Sequence, residues 1–166
     1  MTTAIYSHPD CQRHDMGDWH PESPARLQAI ADQLIGSHIS DLLEYREAPL
    51  VALADLERNH SRNAIAIVRD NVPAPGDTYP IDGDTSLNAW SWLAAQRAAG
   101  AAVAATDAVI DGEIANAFCS VRPPGHHARP IEPMGFCLFN NVAVAAKHAL
   151  DARGLARVAI VDFDVH

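Results

Sequence analysis

The chain has 166 residues, 48% of them hydrophobic and 20% charged, an ordinary composition for one globular domain with a sizeable core. No apolar run reaches the roughly 20 residues of a membrane span, and MTTAIYSHPDCQRHD lacks a basic stretch followed by an apolar one, so neither a membrane helix nor a secretory signal is expected. The formal net charge of −9 disfavours direct contact with nucleic-acid phosphates, and Cys11, Cys119 and Cys137 form no CxxC pair, so a cytoplasmic protein without a disulfide framework is expected.

TAIYS at the N-terminus reads as a short strand, followed by a polar loop to His20. Residues 24–35 carry Leu27, Ile30, Leu34 and Ile35 at helical spacing, which predicts an amphipathic helix. A strand is expected within 45–51 and one or two short helices within 54–70, before a Pro/Gly/Asp-rich loop over 73–84. The alanine-rich stretch 86–110 predicts a long helix able to approach a neighbour closely, stopped at Gly112. ANAFCSV (115–121) reads as a buried strand, 140–152 as a helix stopped at Gly154, and VAIVDF (158–163) as an apolar strand covered on both faces. Alternating strands and helices imply an α/β fold with a mainly parallel sheet flanked by helices, ANAFCSV and VAIVDF lying in its middle. His38, His60 and His148 fall in helical or loop-like segments and read as surface or packing residues.

Sites in such sheets lie at the carboxyl ends of strands. Asp162, Asp164 and His166 follow an apolar run at period two, so an extended chain points them the same way. Two carboxylates there repel each other unless a cation intervenes, and Asp oxygen and His nitrogen are zinc ligands; exposed acids after a strand are the alternative. Arg122-Pro-Pro-Gly-His126-His127 follows the other strand, its prolines and glycine fixing the backbone path for two general acid–base candidates or a surface His pair. In MGFCLFNN, Gly135 permits close approach, Phe136 and Phe139 offer apolar walls, and Asn140 or Asn141 can cap the next helix. HPESPAR, carrying Arg26, is by itself a proline-stiffened start of a helix.

HPESPAR, DGDT, RPPGHHA, GFCLFNN and VDFDVH, in this order, resemble the histone deacetylase superfamily and its bacterial class II-like amidohydrolases. The resemblance implies an arginase/deacetylase-like fold and a zinc-dependent deacetylase. Asp164 and His166 match two of three zinc ligands, and His126 and His127 match the proton-transfer pair. Asp162 matches the carboxylate behind His126 and a ligand of a structural potassium ion. Gly135 and Phe136 match the substrate tunnel, Asp84 a rim acid gripping the substrate backbone, and Arg26 an arginine of the internal channel. The implied partner is an acetylated lysine peptide or a small acylated amine, with a homo-oligomer left open and no membrane or nucleic acid. The family's third zinc-ligand aspartate and its tyrosine or histidine lie downstream of His166, so residues 1–166 are expected to form the N-terminal part of one catalytic domain, incomplete at its C-terminus and inactive alone. An acetylpolyamine amidohydrolase, an arginase relative and a non-catalytic binding module are the alternatives; the HH pair after PPG disfavours arginase chemistry.

Overall fold

The computed structural model describes residues 2–18 and 20–165. Strand β1 (Thr3–Ser7) is the middle of a three-stranded parallel sheet, between β2 (Leu43–Glu47) and β5 (Asn116–Cys119). Ala4, Ile5 and Tyr6 are at most 4% exposed, as a strand flanked on both edges and covered on both faces requires. Helices α1 (Asp10–Arg13) and α2 (Ala25–Gly36) lie between β1 and β2 in the chain. Helices α3 (Leu53–Asn59), α4 (Arg62–Asp70) and α5 (Ser91–Ile110) lie between β2 and β5, with the two-stranded ribbon β3 (Tyr79–Pro80) and β4 (Ser86–Leu87) inserted before α5. Helix α6 (Asn141–Asp151) follows β5.

The alanines of α5 act as their size predicts. Ala94, Ala95, Ala98, Ala99, Ala101, Ala105 and Ala108 are buried, and a Cβ on Gly100 would stand 2.0 Å from the Pro49 carbonyl oxygen. Around that contact sits a core of Val51, Leu56, Ile65, Val68, Leu87, Leu138, Phe139 and Val144, each large side chain contributing about 1.5–3 kcal/mol by burial. No helix among the described residues is long and apolar enough to cross a membrane.

Three expectations are corrected. VAIVDF is not a strand: residues 156–165 carry no regular secondary structure and pair with no strand among the described residues, and Val161 and Phe163 are 82% and 91% exposed. An apolar run states what a sheet interior would accept, but a strand exists only where a neighbour takes its N–H and C=O groups. For the same reason β5 lies at an edge, bonded to β1 alone, with Phe118 47% exposed. Helix α5 starts at Ser91 rather than 86, because Ser86 and Leu87 pair with β3 and Asn88 makes a turn whose Oδ1 accepts from Trp90 N at 3.0 Å.

Candidate active site

The candidate residues gather beyond the carboxyl end of β5. There the chain passes through Arg122, which is fully buried, and a cis peptide to Pro123. Arg122 donates from Nε and Nη2 to the two carboxylate oxygens of Glu22, both at 2.6 Å, and from Nη1 to the carbonyls of Cys11 (2.9 Å) and His14 (2.7 Å). A bidentate, charge-assisted pair of this kind fixes orientation as well as distance. It locks the HPE segment under the loop that carries the histidine pair.

Gly125 brings that loop against the start of α6, where a Cβ would lie 2.6 Å from Asn141 N and 2.7 Å from the Phe139 carbonyl oxygen. Two asparagines then hold it. Asn140 caps α6 through Ala143 N (3.0 Å) and donates from Nδ2 to the Ala128 carbonyl (3.2 Å), and Asn141 Nδ2 donates to the Pro123 carbonyl (3.2 Å).

Within this frame His126 Nδ1 lies 2.9 Å from Asp162 Oδ2, and the rings of His126 and His127 are 4.0 Å apart, tilted by 45°. The hydrogen bond from His126, joined by one from Asp164 N at 3.1 Å to Oδ1, holds the Asp162 carboxyl below its ordinary range. An ionised Asp162 is an acceptor only, so Nδ1 of His126 donates to it and Nε2 is the ring position left for other partners.

Gly135 and Phe136 form the tip of a tight turn, closed by Met134 N to Cys137 O and Cys137 N to Met134 O, each at 3.0 Å. Both central residues have positive φ, +58° and +66°, which a turn of the primed type requires. A Cβ on Gly135 would fall 2.8–2.9 Å from Cβ, Cγ and Cδ2 of His127. Phe136 N donates to Thr85 Oγ1 at 3.0 Å, and its ring meets His20 edge-on at 4.6 Å. His20 Nδ1 accepts from Glu22 N (3.1 Å), so its Nε2–H donates to the Asp84 carbonyl (3.0 Å). Asp84 is exposed, its Oδ1 accepting from Thr85 Oγ1 at 3.0 Å. Arg26 donates from Nη2 to the Val121 carbonyl at 2.8 Å and lines with Pro123 and Asp164 a cavity of about 590 Å³.

Asp164 also lines a cavity of about 410 Å³ with His126 and Asp162. Its carboxylate is an oxygen donor of the kind zinc accepts. His166, the other expected ligand, lies outside the described residues. Among the described residues no group of three or more His, Cys, Asp or Glu side chains is placed to hold a metal ion. Burial pushes the Cys119 and Cys137 thiols up to about 11, and both cysteines are free, which argues against a thiolate nucleophile.

The sequence assigns no site role to Glu22, Arg122 or Thr85, and it reads His60 as a surface or packing residue. The only signals were an acid in HPE and a base before PPG, 100 residues apart, with nothing local to link them.

The histone deacetylase domain family matches residues 20–166. The chain is 38% identical over 147 residues to the histone deacetylase-like amidohydrolase of Pseudomonas aeruginosa, covering 89% of this chain and 38% of that protein. It is 35% identical over 168 residues to a probable deacetylase of Archaeoglobus fulgidus, covering 100% and 46%, and 32% identical to the human polyamine deacetylase HDAC10, covering 99% and 24%. A crystal structure of the HDA15 HD domain superposes with a TM-score of 0.86 at 32% identity, over 93% of this chain and 44% of that one. The chain thus spans less than half the length of each of these relatives.

Proposed function

The chain belongs to the histone deacetylase family, and on that premise we propose that it carries the proton-transfer half of a zinc-dependent deacetylase acting on acetyl-lysine or a related N-acyl amine. The observation that carries the reading is the His126–Asp162 pair at 2.9 Å, with the His127 ring 4.0 Å from its partner. A carboxylate behind an imidazole fixes its tautomer and supports its protonated form, as a general acid–base needs.

The tasks divide among the residues as follows from their chemistry. His127 accepts the proton of the attacking water at a ring nitrogen. Asp162 accepts the Nδ1–H of His126 and fixes that ring beside His127, and the proton taken from the water is passed from the histidine pair to the departing amine. Gly135 offers a carbonyl to the acyl-lysine amide and Phe136 an apolar wall to its methylene stem, the cationic remainder staying outside. Asp84 holds the substrate backbone at the rim, and Arg26 faces the internal channel. The donor chemistry of Asp164 and His166 fits zinc, which when bound would polarise the acyl carbonyl and lower the pKa of a bound water. Asp162 would also lend an oxygen to a structural potassium ion.

The similarity to a polyamine deacetylase and the net charge of −9 favour testing small cationic amines beside peptides. Full-length protein should contain zinc by elemental analysis and release acetate from an acetyl-lysine peptide, an acetylated polyamine or both. Stoichiometric zinc without turnover of any acyl-lysine or acyl-amine would instead favour a binding module.

A further inference from the structure

His60 is buried, 3% exposed, at the corner where α3 meets α4, far in sequence from the histidine pair. Its two ring nitrogens hold the two stems of the segment 129–140, whose tip is Gly135-Phe136. Nε2 lies 2.9 Å from Asn140 N and 3.3 Å from Asn59 Nδ2, and both of those groups are donors. Nε2 is therefore an unprotonated acceptor, and Nδ1, 3.1 Å from the Arg129 carbonyl, carries the proton. The next residue extends the grip, with Ser61 N donating to the Pro130 carbonyl at 2.7 Å while Ser61 Oγ caps α4 through Ala64 N at 3.1 Å. The His60 ring also packs on Phe139 at 5.4 Å between centroids.

We infer that His60 is a positioning residue for the substrate-side turn. One neutral imidazole, protonated at Nδ1, closes the base of the 129–140 segment and so fixes where Gly135 and Phe136 stand against His127 and Thr85. The inference rests on the reading that this turn lines the substrate path. Its geometry is independent of that reading. The anchors of the segment include its stems on His60, its tip on Thr85 Oγ1, and Gly135 on the His127 ring. The His60 ring ties both stems through its two nitrogens, beside the bond from Asn140 Nδ2 to the Ala128 carbonyl at 3.2 Å. Burial pushes His60 below the ordinary histidine range, in keeping with a ring that works uncharged.

The two ring nitrogens can be tested separately. His60→Gln keeps an acceptor near Nε2, His60→Asn keeps a donor near Nδ1, and His60→Leu keeps neither. Nitrogen NMR on wild-type protein at neutral pH should find Nδ1 protonated and Nε2 bare. Intrinsic-rate-corrected hydrogen exchange at the Cys137 and Met134 amides should speed up by about tenfold in His60→Leu and less in the Gln and Asn variants, as expected for losing hydrogen bonds that hold the segment. In the full-length protein, KM for an acetyl-lysine peptide should rise by about tenfold in His60→Leu, with kcat changed far less and KM partly restored in the Gln variant. An imidazolium or Nε2–H ring in the wild type, or unchanged Cys137 exchange in variants that fold, would overturn the inference. Should His60→Leu not fold, the wild-type tautomer and the two polar variants still decide it. If wild type turns over no acyl-amine, the proposed function fails while the exchange and tautomer data still judge His60.

Discussion

Gly135 lies face to face with the imidazole of His127, with no room between them for a methyl group: an added Cβ would be 2.8 Å from both Cβ and Cγ of the histidine. Gly135 also sits at φ +58°, where an L side chain is strained. Gly135→Ala should therefore act in two ways. Stability should fall by about 1 kcal/mol from the backbone, measured by denaturant unfolding. Deacetylation by the full-length protein should fall by about 10²-fold, because displacing a reacting group by about 1 Å is enough for that loss. Full activity in this variant would show that His127 need not stand where the turn puts it.

Two substitutions, one in the histidine pair and one at Asp164, separate proton transfer from metal binding. His127→Ala in the full-length protein should lower turnover of an acetyl-lysine peptide by about 10²–10⁴-fold while zinc content is retained. Asp164→Ala should lose zinc and activity together. Equal loss of zinc in both variants, read by elemental analysis, would contradict these assignments.

Glu22 and Arg122 form the buried ion pair beneath the site, with Arg122 fully buried and Glu22 7% exposed. Glu22→Gln leaves a buried guanidinium without its counter-charge. The expected cost is about 3–5 kcal/mol in urea or guanidinium unfolding, the usual result of removing one partner of such a pair. A cost below about 1 kcal/mol would mean that water reaches Arg122.

Two buried histidines give stability opposite slopes with pH. His14, fully buried with Nδ1 2.8 Å from Ser91 Oγ, is held down to about 3, first by burial and then by the charges of Arg122 and His20. The unfolded chain binds this proton near pH 6.5, so the contribution of His14 is complete above that pH and is lost as pH falls toward 3, by at most about 1.4 kcal/mol per pH unit. His148 goes the other way. Its Nδ1 lies 2.9 Å from Asp55 Oδ1 and its Nε2 2.8 Å from Asp107 Oδ1, tying α6 to α3 and α5. Burial lowers its pKa, but the bonds to the two carboxylates and their charges outweigh burial and raise it above the ordinary value. Arg58 also pairs with Asp55, and Arg153 with Asp107. The His148 contribution is therefore complete below about pH 6.5 and is lost as pH rises through the folded pKa. Thermal unfolding from pH 4 to 9 should give an acid limb flattened by His14→Asn and an alkaline limb flattened by His148→Gln. Parallel curves for wild type and both variants would refute the assignment.

Much of the frame was legible along the chain. Strand β1 begins and ends where the sequence predicts, helices α2 and α6 do so within one residue at each end, and Asn140 caps α6. Those features rest on interactions within a few residues: apolar periodicity, alanine propensity, a capping side chain. The RPPGHHA and GFCLFNN segments were also recognisable, because proline, glycine and adjacent histidines leave few backbone choices.

By itself, the sequence determined which residue types stand on which loops, and so the family and the candidate chemistry. Only the tertiary structure decided who touches whom. Glu22 meets Arg122 across 100 residues, His60 meets Asn140 across 80, and His148 meets Asp55 across 93. No local period encodes such pairs, since each depends on where whole elements dock. The segment 158–163 marks the same boundary from the other side. Its apolar pattern is a strand's, yet without a neighbour to take its backbone hydrogen bonds it lies exposed, because a β-strand is a property of two chain segments and not of one.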